Sequence, residues 1–535
     1  MILPPTQAAS PRRSVPPRQG SRAGRRPRVP VPIPVEPEAA PTALASILPP
    51  ALQALLKALP PEAHLPLELL APLVVERTPL ANATLSLWAY LLSPAALDEI
   101  FERYRGRSFE EVLSFATFVE LIRDALVLHK GSGRQSLERA EERGELPTCK
   151  EAVYGKLRRV PLELSIGSFE EVAAMMRPLL PAGHAVGAVP ASLAGMRVVV
   201  LDGKQIKNVA KRLKVVRGRA GKAIGGKILV AYLPDEGLAV AMAADPDGEA
   251  NDIRLMPAAV PRARARVAGI RLWVADRQFC DLDQPGLLTE GGDHFLIRRS
   301  LRTGFHADPD RPARTSLDAR GRTVVEQWGW LGAARDPRRR YVRQVHLIRP
   351  GEEAVLLVTD LLDGELYPAD DLLRVYLERW GIERVYQQIT EVFELRRLIG
   401  STPRGSVFQA AFCLVLYDLL QVIRAYVAAG QAELPVAMVS VEQIFLDVQK
   451  ELTALAELFA PRTIAGWFAE ELSREGLVAR LEALLGSVWT PRYRKAVNAK
   501  PRPKVRKAKC SGAHTSVHKV LEEERRKRYK KGNGT

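Results

Sequence analysis

The sequence predicts a chain of the α+β / α/β class: a mixed sheet with flanking helices, a helical N-terminal region and a β-strand insertion ahead of a late helix. Three observations carry this. Apolar residues recur at helical spacing from Ile47 to about Arg177. After His184 they regroup into short branched runs bounded by turn residues, namely RVVVLD (197–202), KILVAYL (227–233), LAVAMAA (238–244), IRLWVAD (270–276) and HFLIRRS (294–300). From about residue 366 the helical period returns.

In chain order, residues 1–45 are rich in proline and arginine and cannot bury a core, so a disordered tail is expected. Residues 46–190 read as helices, with Ser168 and Glu171 spaced as a capping box. Their basic, glycine-punctuated stretch holds Arg134, Lys150, Lys156, Arg158 and Arg159, which suits a DNA-end-binding region; the alternative is a packing domain with a solvated basic face. Residues 191–300 give the order β-β-β-α-β-(α)-β, the first three strands antiparallel and the helix interrupted by proline. Residues 301–365 add the strands TVVEQWGWL, YVRQVHLI and AVLLVTDLL as a β-rich insertion. Residues 366–430 open with a helix over Asp371 to Gly400 and continue into Val407 to Ala429. That second run is apolar but carries Gln409, Asp418, Gln421 and Arg424, which are costly in lipid, so it is read as a core or subunit-contact helix. Residues 431–490 are helical and 491–535 a basic tail.

A chain of 535 residues is too long for one core and should divide into domains. Its net charge of +17 points to a polyanionic partner, nucleic acid before membrane. The first 50 residues lack the apolar run and cleavage site of a secretory signal, and cytosolic residence is expected. Cys149, Cys280, Cys413 and Cys510 form no Cys-x-x-Cys pair, which argues against a disulfide framework or a thiolate zinc site.

Chemistry concentrates in the carboxylates. Asp202 and Asp276 each close an apolar strand, and Tyr376, Arg379, Glu383, Tyr386 and Thr390 share one helical face. Arg379 and Glu383 alone would be a surface pair contributing only about 0.3–0.5 kcal/mol. Taken with the two aspartates, the glutamate makes a set of three hard-oxygen donors, the type that two-metal phosphoryl transfer requires. In the expected sheet the strands ending at Asp202 and Asp276 are neighbours. Lys204, Lys207, Lys211, Arg212, Lys214, Arg217, Arg219 and Lys222 follow directly, as suits a phosphate-binding loop, the alternative being a solvated hairpin tip. Trp328 and Trp330, two apart in the insertion, share a strand face where one could stack on a displaced base; same-face core packing is the competing reading.

Three blocks in this order, VVVLDGKQIK, LWVADRQFCD and YLERWGIERVYQQIT with a β insertion before the third, resemble the DDE transposases of bacterial insertion sequences, in the group with a Tyr-x2-Arg-x3-Glu-x6-Lys motif. The resemblance spans roughly Gly195 to Tyr426 and implies a ribonuclease-H-like core. It implies that Asp202, Asp276 and Glu383 are the catalytic residues and ligands of two Mg²⁺ ions, for which Mn²⁺ can substitute. It implies DNA contacts from Tyr376, Arg379 and Arg277, and strand cleavage at terminal inverted repeats followed by transfer to double-stranded target DNA. A homodimer in a synaptic complex, in the bacterial cytosol and associated with the nucleoid, follows from the same likeness, with no membrane involved. Two departures stand out. Thr390 occupies the motif's lysine position, so it offers DNA a hydroxyl but no charge, and Gln278 follows Arg277 where a small residue or asparagine is usual. The other readings are a structure-specific Mg²⁺-dependent nuclease of the same fold and a catalytically decayed DNA-binding protein.

Overall fold

The structure, a computed structural model, describes residues 74–495 and 514–532 apart from 208, 210, 212, 220, 352, 432–433 and 469–471. The expected tail over residues 1–45 lies outside the described residues. Six helices come first: α1 (Pro79–Leu91), α2 (Pro94–Tyr104), α3 (Phe115–Val127), α4 (Gly133–Glu142), α5 (Lys150–Arg159) and α6 (Leu162–Met176). Serine caps start three of them, since the side chains of Ser93, Ser114 and Ser132 accept from backbone N–H groups that a helix start leaves unpaired. The capping box expected at Ser168 is not one. Helix α6 starts six residues earlier, behind Pro161, whose fixed φ suits a helix entry. Ser168 Oγ donates back to the Leu164 carbonyl at 2.6 Å, and Glu171 accepts from the Tyr104 hydroxyl at 2.6 Å.

Ten strands follow, β1 (Met196–Lys207), β2 (Ala223–Leu233), β3 (Leu238–Asp245), β4 (Ile270–Ala275), β5 (His294–Arg298), β6 (Phe305–Ala307), β7 (Arg314–Leu317), β8 (Thr323–Leu331), β9 (Arg340–Leu347) and β10 (Val355–Thr359). Helix α7 (Met256–Arg266), which contains Pro261, and the short α8 (Gln284–Leu288) interrupt them. With a late β11 (Thr515–Ser516) they form one sheet of eleven strands ordered β11-β2-β1-β4-β5-β10-β9-β8-β6, with β3 on β2 and β7 on β8. Strands β1, β2 and β3 are antiparallel as expected, while β4 joins β1, and β5 joins β4, in parallel. The insertion extends the same sheet, because β10 pairs with β5 and β9 with β10.

The segment expected as one helix from Asp371 to Gly400 is two, α9 (Ala369–Glu378) and α10 (Gly381–Glu391). At the junction Arg379 N–H bonds the Tyr376 carbonyl and Ile382 N–H the Arg379 carbonyl, three residues back instead of four, and Trp380 is left 51% exposed. Gly381 packs so tightly that an added Cβ would stand 3.2 Å from the Tyr232 ring.

Helix α11 (Pro403–Ala429) is the centre of the protein and touches α6, β2 and β3. It is long and apolar enough to span a bilayer, yet its most apolar stretch is wholly covered by protein. Its polar groups find partners: Asp418 accepts from Ala239 N–H at 2.9 Å, Gln409 from Ile399 N–H at 2.8 Å, and Arg424 donates to the Val436 carbonyl at 2.9 Å. Helices α12 (Val441–Leu458), α13 (Pro461–Trp467) and α14 (Arg474–Leu485) follow. One apolar core runs from Leu80 to Val520, so the described N-terminal helices share an interior with the sheet. Within the expected basic tail, residues 515–532 form β11 and α15 (Val517–Gly532).

Candidate active site

Strand β1 carries Val198 to Leu201 fully into the core, and β4 does the same with Leu272 to Ala275. They run in register, Val200 beside Val274 and Leu201 beside Ala275. The next residue on each chain is an aspartate, so Asp202 and Asp276 stand at the same height on adjacent strands and the same face. Asp276 then caps a short turn, accepting from Arg277 N–H at 2.5 Å, and buried Phe279 anchors that turn. Asp202 continues along β2 opposite Val230.

Burial pushes the Asp202 carboxyl up to about 7; Arg379 and the Gly203 N–H pull against it, while Asp252 and Asp276 add to the rise. Asp252 was not foreseen. It is 5% exposed, lies 2.5 Å from Lys227 Nζ, and sits so close over Gly203 that an added Cβ there would be 2.1 Å from its Oδ1. Glycine at 203 is therefore a requirement of space, and the Asp-Gly pair within β1 was the trace of it in the sequence.

Arg379 is 5% exposed, its guanidinium 5.5 Å from the Tyr376 ring centre and 5.8 Å from that of Trp380. Among the described residues its one ion pair reaches Glu383 at 3.7 Å, and neither its Nε nor the buried Tyr376 hydroxyl has a hydrogen-bond partner. Glu383 opens α10, where a carboxylate is favoured by the helix dipole. Tyr386 ties that helix to β1 by donating its hydroxyl to the Asp202 main-chain oxygen. Lys204 Nζ donates to the Tyr386 carbonyl at 3.3 Å, and burial, then neighbouring Lys207, lowers its pKa to about 8. Thr390 donates to that same carbonyl at 2.6 Å, so its hydroxyl proton is spent within its own helix.

The other expected contact residues scatter. Lys207 is exposed, Lys211 bonds the Arg219 carbonyl within its loop, and exposed Arg277 pairs with Glu353 at 3.2 Å. Among the N-terminal cations Arg134 pairs with Glu138 and Lys150 with Glu141, Lys156 is tied to the Leu113 carbonyl, and Arg158 and Arg159 are exposed. Base stacking on Trp328 is ruled out by its burial. The ring is 1% exposed, its Nε1 donates to the Leu362 carbonyl at 2.8 Å, and Arg311 covers it at 4.0 Å. Trp330 is half-buried between Arg339 and Tyr341. Core packing accounts for both.

Two adjacent, half-buried carboxylates fit a hard divalent cation. Asp202 and Asp276 would hold it. Glu383 rests on Arg379, and among the described residues no three acidic, imidazole or thiolate groups gather closely enough to hold an ion together.

Residues 193–419 match the family described as "Transposase DDE domain", which covers both aspartates, Glu383 and the insertion between them. No curated protein matches the chain. Among solved structures, a cryo-EM structure of the piggyBac transposase synaptic complex with hairpin DNA is similar at 10% identity over 75% of this chain and 85% of that one, with a TM-score of 0.36. Its low TM-score gives it no weight beside the family match. Residues 193–419 are thus similar to the DDE domain of transposases, a domain family whose members cleave DNA and transfer its strands.

Proposed function

We propose that the chain is an insertion-sequence transposase that binds the terminal inverted repeats of its element and cuts and joins DNA at Asp202, Asp276 and Glu383 with two Mg²⁺ ions. What supports this most is the strand register that sets the two aspartates side by side. When bound, the ions supply an activated water and charge stabilisation at the scissile phosphate. The chain's own groups do the rest. Asp202 must be ionised to serve as a ligand, which its raised pKa makes dependent on pH near neutrality. Arg379 holds Glu383 at the start of α10 and keeps Nε unspent for a phosphate oxygen, a geometry that lysine reproduces poorly. Buried Tyr376 has a free hydroxyl for the same phosphate, and Lys204 and Lys207 extend the contact along the strand. Two copies of the chain hold two element ends in one complex, in the bacterial cytosol.

The test is to incubate the protein with Mg²⁺ and a duplex ending in the DNA that flanks its gene. Cleaved 3′-OH ends and joined products are expected. Asp276→Asn should lower cleavage by at least about a thousand-fold, on the scale of the several kcal/mol that a metal supplies, while end binding stays within about threefold. Cleavage without joining would point to a nuclease, and binding without cleavage would defeat the catalytic reading.

A further inference from the structure

Strand β2 has an edge that β3 covers only from Lys227 to Leu233. The open start of β2 is filled by β11, which adds in parallel at Ala223 and Ile224, with Thr515 N–H donating to the Lys222 carbonyl at 3.0 Å. A short added strand removes the hazard of a bare edge. It also fixes where α15 begins. Val517 and Val520 are buried, Ser516 Oγ donates to Asp247 at 2.7 Å, Lys519 pairs with Glu249, and Glu523 pairs at 3.5 Å with Arg219 of the loop that joins β1 to β2.

Beyond this anchored start the helix changes character. Residues 525–530 read RRKRYK and all are exposed. Arg525 pairs with Glu522 and Lys527 with Glu524 inside the helix, but Arg526, Arg528 and Lys530 have no ion pair among the described residues. The helix dipole favours cations in a last turn, each by about 0.3–1 kcal/mol, but it does not call for five in six positions that repel one another. The loop held by Glu523 is itself basic and exposed at Lys214, Arg217, Arg219 and Lys222, and it leaves β1 after Lys207, on the Asp202 side of the strand's apolar run. One positive surface therefore starts at the aspartate end of the sheet and continues along α15. Six residues of helix rise about 9 Å, which spans about three phosphates of one strand at roughly 3.4 Å each.

The geometry points to α15, which lies outside the matched residues, together with the β1–β2 loop, which lies within them, as a docking track for the phosphate backbone of duplex DNA beside the cut site. This rests on the proposed function, since it takes the DNA at Asp202 as given. Its recognition is electrostatic and independent of sequence.

The decisive variant is the full chain with Arg526→Glu, Arg528→Glu and Lys530→Glu, set beside the same three positions changed to glutamine. The probe is a linear duplex of arbitrary sequence and one ending in the gene's flanking DNA. Affinity for both probes at about 0.1 M salt should fall at least about tenfold in the glutamine form and further in the glutamate form. The slope of log affinity against log salt should flatten by about 2–3 in the glutamine form, near 0.9 per lost phosphate contact. Unchanged affinity and slope, in variants that melt as the wild type does, would overturn the track while leaving the proposed function standing. A wild-type protein that ignores both duplexes would remove both together.

Discussion

Two buried arginines sit in the same sheet-and-helix layer system and are treated in opposite ways. Arg343, fully buried in the insertion, gives Nε to Glu326 at 2.7 Å, a second nitrogen to the same carboxylate, and Nη1 to the Tyr367 carbonyl at 2.7 Å. Arg379, nearly as buried, has one ion pair at 3.7 Å and an unspent Nε. Both lose their hydration, and only the first is compensated within the protein. Arg379 lies beside Asp202 and Glu383 with Nε unspent, and among the described residues the neighbouring Tyr376 hydroxyl has no hydrogen-bond partner. Buried polar atoms without partners also occur elsewhere, as at Arg197, Asp235 and Asp418, but those of Arg379 and Tyr376 stand beside the two aspartates, where an outside ligand can meet them.

The contrast breaks first, if at all, in a matched pair of truncations. Arg343→Leu should destabilise the protein by about 3–5 kcal/mol, because it strands Glu326 in the interior. Arg379→Leu should cost less than about 2 kcal/mol in urea unfolding while cutting DNA cleavage by about a hundredfold. Equal losses of stability would mean that Arg379 is as structural as Arg343.

A smaller effect sharpens the acid side of the comparison. A carboxyl raised from 3.8 to about 7 in the fold carries no ionisation cost below about pH 4, where folded and unfolded forms are both protonated. That cost grows as the pH climbs to about 7 and then holds, as the unfolded chain releases its proton first. Asp202→Asn should therefore melt several degrees higher than wild type at pH 8 without divalent ions, on the order of 2–4 kcal/mol, with the gap closing below about pH 4. Added Mg²⁺ should raise the wild-type melting temperature and leave the asparagine form unmoved. A gap that persists at low pH would remove the ionisation of Asp202 against its burial, with Asp252 and Asp276 adding to it, as the cause. The smallest effect is expected at Thr390. Thr390→Val loses only a bond inside its own helix, so DNA affinity should change by less than about 0.5 kcal/mol; a larger drop would mean that the hydroxyl reaches DNA after all.

Most of the sheet was legible because its strands are short apolar runs bounded by turn residues, two of them closed by an aspartate, a pattern local enough to read. The parallel neighbours β1 and β4 followed from that order, and so did the pairing of Asp202 with Asp276. What escaped depends on contacts between distant residues. Asp252 is held by Lys227 across the sheet, and nothing in Asn251-Asp252 reveals that it fills the place of a Gly203 side chain. The break at Arg379 and Trp380 is hidden by a helical period that runs through both helices unbroken. Trp328 alternates correctly for either of its readings, and only the arginines that close over it decide between them. The ordered end of the chain looked like a charge run because two β11 residues, too few to show a period, seat it.

The register of β1 on β4 also bears on how this protein can vary. Side chains alternate faces along a strand, so a deletion or insertion of a single residue inside either one would turn its aspartate to the opposite side while leaving every apolar rung able to pair. Such an indel need not unfold the chain. It would leave a well-packed DNA-binding protein that has lost its chemistry, and insertions in the long hairpins of the neighbouring β6–β9 region would carry no such penalty.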